Sequence, residues 1–481
     1  MSCNLQSNAV AYARGSVTLS KHATFFPNRE RKRPVPLNSS RMLRESVLGL
    51  AARLAIPMRR CAFLCLAAAV WMLAASNPVR FLRSTDVQSI SAALAAGPDK
   101  LPDFTDAADW DAWIRERDAV IRGRIDHGIE DSLSELILFG TSFPAPSKLA
   151  SAPDAVNPAG DLTANARARQ DAFIHAIDEL DSERFRTVLE FLRRQRVTED
   201  ELPAFLSGIV RRFALEEAGL KKKQARADVG VSPETSLLIN YAVEETLRSL
   251  KTSHALPAHI QRIAVIGPGL DLAGDPDVND FCPPQSIQPF AVLEAVLRLG
   301  AATPAEIQVT AVDFNPLVVS HLRTSVVKAQ AGRGYVLQLP RMAGWNAAAV
   351  SYWQHFGDTI ATPAAALSAP SGIELRAVAV KPQLTARITV DDLNIVTQTL
   401  DTVPGQGFDL IVATNLFAYY TRVEQTLALS SIARMLASGG ILISNGISST
   451  VKLQEFENLG AHHAAYSDSD SGDDLVTYKR R

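Results

Sequence analysis

The chain has 481 residues, 47% of them hydrophobic and 21% charged, which is the make-up of a core-forming globular protein and excludes a largely disordered one. That length suits roughly two or three domains of ordinary size. A formal net charge of -2 argues against a broad basic surface, so nucleic acid is not expected as a partner.

Residues 1–57 carry a basic cluster, Arg29-Glu30-Arg31-Lys32-Arg33, without sustained periodicity, and read as a disordered leader. Met58-Arg59-Arg60 then precede the apolar run CAFLCLAAAVWMLAAS, residues 61–76. Positive charge, an apolar stretch and a small-residue end are the pattern of a secretory signal. The run is short for a membrane span, which needs about twenty residues. With Met58 as the start the segment 58–76 reads as a signal, and with the leader in front it reads as a membrane anchor; a buried helix of a cytosolic protein is the third reading. The expectation is a membrane-associated protein, with export or a cytosolic location as alternatives. More positive charge lies before the run than after it, where Arg80 and Arg83 stand, so the globular part is expected to face outward.

Residues 77–108 are Ala/Ser/Pro-bearing and read as a linker. Helical patterning begins near Asp109 and continues to about residue 250, giving an all-helical domain over 109–250. Within it Thr198 and Glu201 have capping-box spacing, and Ser232-Pro233-Glu234 opens a further helix. The run Lys221-Lys222-Lys223 reads as a solvated helix face.

The period then changes. Strands are predicted at 262–267, 307–313, 373–380, 385–391, 408–414 and 439–445, with helices at 286–299, 316–330 and 423–436. Such alternation predicts an α/β, Rossmann-like domain over 251–481, with a mostly parallel sheet. HHAAYS and DLVTYK flank the polar turn DSDSGD and predict an antiparallel C-terminal hairpin. The turn lacks the terminal Glu of a calcium loop and reads as plain solvent-exposed chain.

No metal site is expected. The cysteines are Cys3, Cys61, Cys65 and Cys282, so the globular part has no internal disulfide to form, and no Cys/His cluster has zinc spacing. The neighbours His462 and His463 lack a spaced carboxylate or cysteine to complete a ligand set.

Chemistry concentrates in two stretches. RIAVIGPGL, 262–270, is an apolar strand running into a Gly-x-Gly turn, and VTAVDFNP, 309–316, is a second strand ending in the acid Asp313. A glycine turn lets backbone approach a ligand, and a strand-end carboxylate accepts from ribose hydroxyls, so the pair predicts an adenosine-bearing cofactor. In a dinucleotide fingerprint the third glycine would fall where Leu272 stands, and the acid would follow about twenty residues on. Asp313 comes much later, after the Pro-bearing insertion Asp280 to Pro284. Both departures speak against a nicotinamide or flavin.

With ITVDDLN, FDLIVATNLFAYY and RMLASGGILISN following in that order, residues 235–481 resemble the class I S-adenosylmethionine-dependent methyltransferases. The resemblance implies S-adenosyl-L-methionine as cofactor. It implies that Gly267, Pro268 and Gly269 admit the methionine part and that Asp313 binds the ribose hydroxyls with Phe314 beside the adenine. Asp392 and Leu393 would contact the adenine amino group, and Asn415 would face the site of methyl transfer. Residues 332–372, with GWNAAAVSYWQHFGD, are an insertion of the kind that shapes substrate pockets.

Methyl transfer from a sulfonium depends chiefly on positioning and exclusion of water, and a general base serves only an acceptor that must lose a proton. The candidates for such a base are Tyr419, Tyr420 and His355. NLFA replaces the Asn/Asp-Pro-Pro-Tyr/Phe of amino methyltransferases, and NLFAYY with the helix after it resembles the chemotaxis-receptor carboxyl methyltransferases, which points to oxygen. The expected function is methyl transfer to a small-molecule or protein acceptor. The alternative is a non-catalytic, membrane-tethered module with a methyltransferase-like fold. An outward-facing domain and a cofactor kept in the cytosol are in conflict, which the sequence leaves open.

Overall fold

The computed structural model describes residues 78–87, 101–102, 104–177, 183–220, 237–270, 279–341, 343–369, 372–402, 405–448, 451 and 454–481. The leader, the 58–76 segment, Lys221 to Lys223, Ser232 to Glu234 and Leu272 lie outside them. No helix among the described residues is long and apolar enough to cross a membrane.

The chain enters through a short strand, β1 (Val79–Phe81), inside the stretch expected to be a linker. The helical region follows as α1 (Ala107–Phe139), α2 (Ala164–Ile177), α3 (Glu183–Arg194) and α4 (Leu202–Leu220). Helix α1 has 33 residues, a length of about 50 Å. It starts where Asp106 accepts from the Ala108 and Asp109 amides, a side-chain cap on two otherwise orphaned donors. Its far end is held by a buried arginine: Arg169 donates to the carbonyls of Ile137, Gly140 and Pro146, the end where a helix favours positive charge. Thr198 and Glu201 bond side chain to side chain (2.7 Å) and side chain to amide (3.1 Å) just before α4, as their spacing predicts.

After α5 (Leu237–Thr252) come β2 (Arg262–Ile266), α6 (Gln288–Arg298), β3 (Gln308–Asp313) and α7 (Pro316–Gln330). The insertion supplies β4 (Tyr335–Arg341), α8 (Ala347–His355), β5 (Ala361–Ala364) and β6 (Glu374–Val380). Then follow α9 (Pro382–Thr385), β7 (Ile388–Asp392), β8 (Gln398–Leu400), β9 (Phe408–Ala413), α10 (Arg422–Met435), β10 (Leu436–Ser444), β11 (Phe456–Ala465) and β12 (Gly472–Arg480).

Seven strands form the main sheet in the order β11-β12-β10-β9-β2-β3-β7. From β10 to β7 every pairing is parallel, and β12 runs antiparallel between β10 and β11. This is an α/β, Rossmann-like doubly wound sheet closed by the expected hairpin. Order reverses between β2 and β9, and ligands of such sheets bind in the crevice outside the carboxyl ends at that switch point.

One strand expected in the parallel sheet is elsewhere. β6 is the centre of a separate antiparallel sheet, β4-β6-β5, so the inserted element runs on to Val380. β1 pairs with β8 in a third, two-stranded sheet.

Alternation along the central strands sorts the core into two layers. Ile263, Val265, Leu410 and Val412 pack with α5, α6 and the insertion's Tyr352, Trp353 and Phe356. Ala264, Ile266, Ile411 and Ala413 face the other way, into a cluster that continues through α10 to Trp110, Ile114, Ile121 and Ile125 of α1. The helical region and this sheet face therefore share one apolar core, which brings α1 to Phe314, Leu393, Leu416 and Tyr420.

Candidate functional site

β2 delivers the chain to Gly267-Pro268-Gly269, where Gly267 and Gly269 take φ of 64° and 70°, a left-handed conformation that glycine adopts without steric cost. The Gly267 amide donates to the Val312 carbonyl at 2.8 Å, which ties the turn to the neighbouring strand.

Asp313 ends β3 and is buried, with its carboxylate accepting from the Asn315 amide at 2.8 Å. The amides of Gly269 and Phe314 also lie near enough to pull its pKa down. Burial pushes its pKa up to about 6 against the pull of those amides, and the charge of Asp392 adds to the rise. Asn315 caps α7 by accepting from the Leu317 amide at 3.0 Å, and Leu393 donates its amide to the Asp313 carbonyl at 3.0 Å.

Asp392 ends β7 directly opposite Asp313. A residue of the helical region meets it: Arg122 of α1 donates to the Asp392 carboxylate at 2.8 Å and to the Phe314 carbonyl at 3.3 Å. The same guanidinium reaches Asp118 at 3.0 Å and Gln398 at 3.1 Å. Asp118 in turn accepts from Asn394 (2.9 Å) and Thr397 (2.6 Å).

Across the switch point, Gln288 at the start of α6 donates to Thr414 Oγ1 at 2.7 Å, just past the end of β9. Its other amide atom is buried with no hydrogen-bond partner among the described residues. Asn415, at φ 57°, exchanges hydrogen bonds of 2.6 and 2.7 Å with Asn445 at the end of β10. Tyr420 is buried and its hydroxyl is likewise without a hydrogen-bond partner among the described residues. Orphaned polar atoms of this kind cost free energy unless a ligand or water meets them.

Gly267, Pro268, Gly269, Asp313, Phe314, Asp392 and Leu393 thus come together at the ends of β2, β3 and β7, with Asn415 at the end of β9. The three base candidates differ. Burial, with Asp313 close by, raises the Tyr420 pKa further above that of a phenol, so at neutral pH it is a hydrogen-bond donor and not a base. Tyr419 is half-buried, and its carbonyl accepts from Arg124, whose guanidinium also pairs with the buried Glu424 at 2.9 Å. His355 sits exposed on the insertion's helix, its Nδ1 2.7 Å from the Ser351 carbonyl, and belongs to a different element from the strand-end residues.

Both histidines of the C-terminal pair lie on β11, and no metal-ligating group that includes either is found among the described residues. His463 bonds to Asp474 at 2.9 Å across the hairpin, in the open. A group with ligand-like proximity does occur in the helical region, His127, Asp131 and Glu216. Its cation is already present: Arg212 lies 2.9 Å from Asp131 and 3.0 Å from Glu216.

Sequence reasoning missed Arg122, Arg124 and Gln288. The arginines carry no local signal in a helix that reads as an ordinary amphipathic one. Gln288 has a weak signal, a polar residue at the mouth of an otherwise apolar helix, SIQPFAVLEAVLRLG.

No protein-family model matches the chain, and no curated protein matches it. Solved structures that resemble it include methyltransferases. An N-methyltransferase, NodS from Bradyrhizobium japonicum, is 12% identical over 50% of this chain and 94% of its own, at a TM-score of 0.25. The magnesium protoporphyrin IX methyltransferase of Synechocystis, with bound SAM, is 8% identical over 52% of this chain and 86% of its own, at 0.25. A precorrin-6y C5,15-methyltransferase from Geobacter metallireducens is 11% identical over 50% and 87%, at 0.24. At such scores neither substrate nor chemistry carries over, and the α/β fold rests on this chain's own strand order.

Proposed function

We propose that the chain is an S-adenosylmethionine-dependent methyltransferase acting on a small-molecule or protein acceptor, at oxygen. The observation that carries this reading is Asp313: a buried carboxylate at the end of β3, the strand to which the glycine turn is tied through the Gly267 amide and the Val312 carbonyl, beside the switch point where such a sheet takes a nucleotide-type ligand. When bound, the cofactor would supply an activated methyl group on sulfur.

The chain's own residues have separate tasks. Gly267 and Gly269 leave room for close backbone approach. Asp313 and Asp392 accept from the ribose hydroxyls and the adenine amino group, and Phe314 and Leu393 give apolar contact. The buried, unpartnered atoms of Gln288 and Tyr420 fit a ligand bearing both a donor and an acceptor. Phe314, Leu393 and Leu416 are buried in the apolar core that α1 shares, and exclusion of water on that side favours displacement at sulfur-bound carbon. Burial keeps Tyr420 protonated and His355 stands exposed on the insertion's helix, so neither serves as a base, and the acceptor fits best as a group already deprotonated at neutral pH, such as a carboxylate.

We also propose that segment 58–76 associates the chain with a membrane; fractionation of tagged protein tests that. Calorimetry with S-adenosylhomocysteine tests the main reading. Binding to the full chain is expected, with Asp313→Ala weakening it strongly, and a folded wild-type chain that does not bind would overturn it.

A further inference from the structure

We infer that Arg122 is a positioning residue of the cofactor site, supplied to the sheet by the helical region. The inference rests on the methyltransferase reading, and it concerns how the adenine end of the site is assembled.

Five observations carry it. Asp313 and Asp392 stand in register on adjacent parallel strands, so two carboxylates crowd one end of the crevice, and the charge of Asp392 adds to the rise that burial imposes on the Asp313 pKa. Arg122 reaches Asp392 through one carboxylate oxygen, Oδ1, at 2.8 Å. The Asp392 side chain keeps 45% of its surface exposed, which leaves a second oxygen for a donor such as an amino group. Arg122 also holds the carbonyl of Phe314, the residue after Asp313, so one guanidinium fixes both strand ends. The arginine is itself immobilised by Asp118 one turn earlier and by Gln398.

A planar fork with several fixed donors can meet Asp392, Gln398 and a carbonyl together, which a lysine ammonium on a flexible stem does not reproduce. The apolar surface of α1 reinforces this placement, since Ile121 and Ile125 on either side of Arg122 belong to the same core as Phe314 and Leu393. On this account the sheet alone holds an incomplete site, and the helical region contributes a functional group as well as cover.

The test uses the full chain with S-adenosylhomocysteine as probe, in calorimetry between pH 5.5 and 8, for the wild type, Arg122→Ala, Arg122→Lys and Asp392→Asn, with thermal melts in parallel. Arg122→Ala is expected to weaken binding about tenfold or more. The loss should be larger at pH 6 than at pH 8, because without the cation the charge of Asp392 faces Asp313 uncompensated, which favours protonation of Asp313. A purely structural role would lower the melting temperature without moving that pH profile. Arg122→Lys should recover only part of the affinity, and in the Asp392→Asn background replacing Arg122 by Lys should cost much less.

If Arg122→Ala melts too low to assay, Arg122→Lys against Asp392→Asn decides by the same comparison. Unchanged affinity and an unchanged pH profile in the arginine variants would overturn the inference while leaving the methyltransferase reading in place. Tighter binding would overturn it too, since Arg122 would then be blocking the site. A wild type that binds no probe would remove the reading and the inference with it.

Discussion

Asp313 and Asp392 face each other on β3 and β7, yet their charges are treated differently. Asp392 is paired with Arg122, whereas the hydrogen bonds to Asp313 come from backbone amides. Burial therefore dominates at Asp313 and lifts its pKa to about 6. Binding that needs the carboxylate should fall off below that pH, approaching a tenfold loss per pH unit. Calorimetry of S-adenosylhomocysteine from pH 5 to 8 checks this, and a flat profile would exclude Asp313 as an ionised acceptor.

The same burial has the opposite consequence for stability. A carboxyl group whose pKa is raised on folding penalises the native state once it ionises. The penalty is absent below the unfolded value near 3.9, grows as pH rises towards about 6, and stays in full above that. Asp313→Asn removes the charge, and its oxygen can still accept from the Asn315 amide. The variant should gain about 2 kcal/mol at pH 7.5 and nothing near pH 4, while losing cofactor binding. Urea denaturation at both pH values measures it.

Much of this arrangement was legible in the sequence, and what escaped has a physical reason. Apolar runs ending in Gly267 and Asp313 placed β2 and β3, because a nearly continuous apolar run and its turn chemistry are local properties of a buried parallel strand. The run ELRAVAV marked β6 equally well but gave no sign of which sheet it joins. That is decided by its partners β4 and β5, and β6 pairs antiparallel with both of them. The short β1 was invisible because three residues make no period, and it exists through β8, which lies far away in sequence. Arg122 was silent for the same reason: its partner Asp392 is 270 residues on, and an arginine on a helix face looks alike whether it meets water or a strand end.

Arg212 should behave as a built-in cation. It pairs with Glu130 at 3.1 Å, Asp131 at 2.9 Å and Glu216 at 3.0 Å, beside His127. Burial pushes the Asp131 pKa up to about 6 even with Arg212 opposing it. Arg212→Ala leaves that carboxylate without its charge partner and should cost about 3 kcal/mol at pH 7.5, less at pH 5 where Asp131 is protonated. Adding zinc should leave the wild-type melting temperature unchanged and raise that of Arg212→Ala. A zinc shift in the wild type would contradict the assignment of the guanidinium as the site's cation.

Gly267→Ala separates strain from contact at the glycine turn. At φ 64° an alanine pays about 1–2 kcal/mol for a left-handed backbone. Its methyl would lie 3.4 Å from Leu416 Cδ1, a contact the end of a leucine side chain relieves by a small shift. Strain should therefore set the loss of stability, and the double variant Gly267→Ala with Leu416→Ala should be no more stable than the sum of the two single changes allows. Recovery in the double variant would show that the contact mattered more. Cofactor affinity should fall in Gly267→Ala by more than its stability loss explains, because the added methyl sits at the switch point between β2 and β9, where the backbone must come close to the ligand. Calorimetry at a temperature where the variant is fully folded distinguishes the two effects.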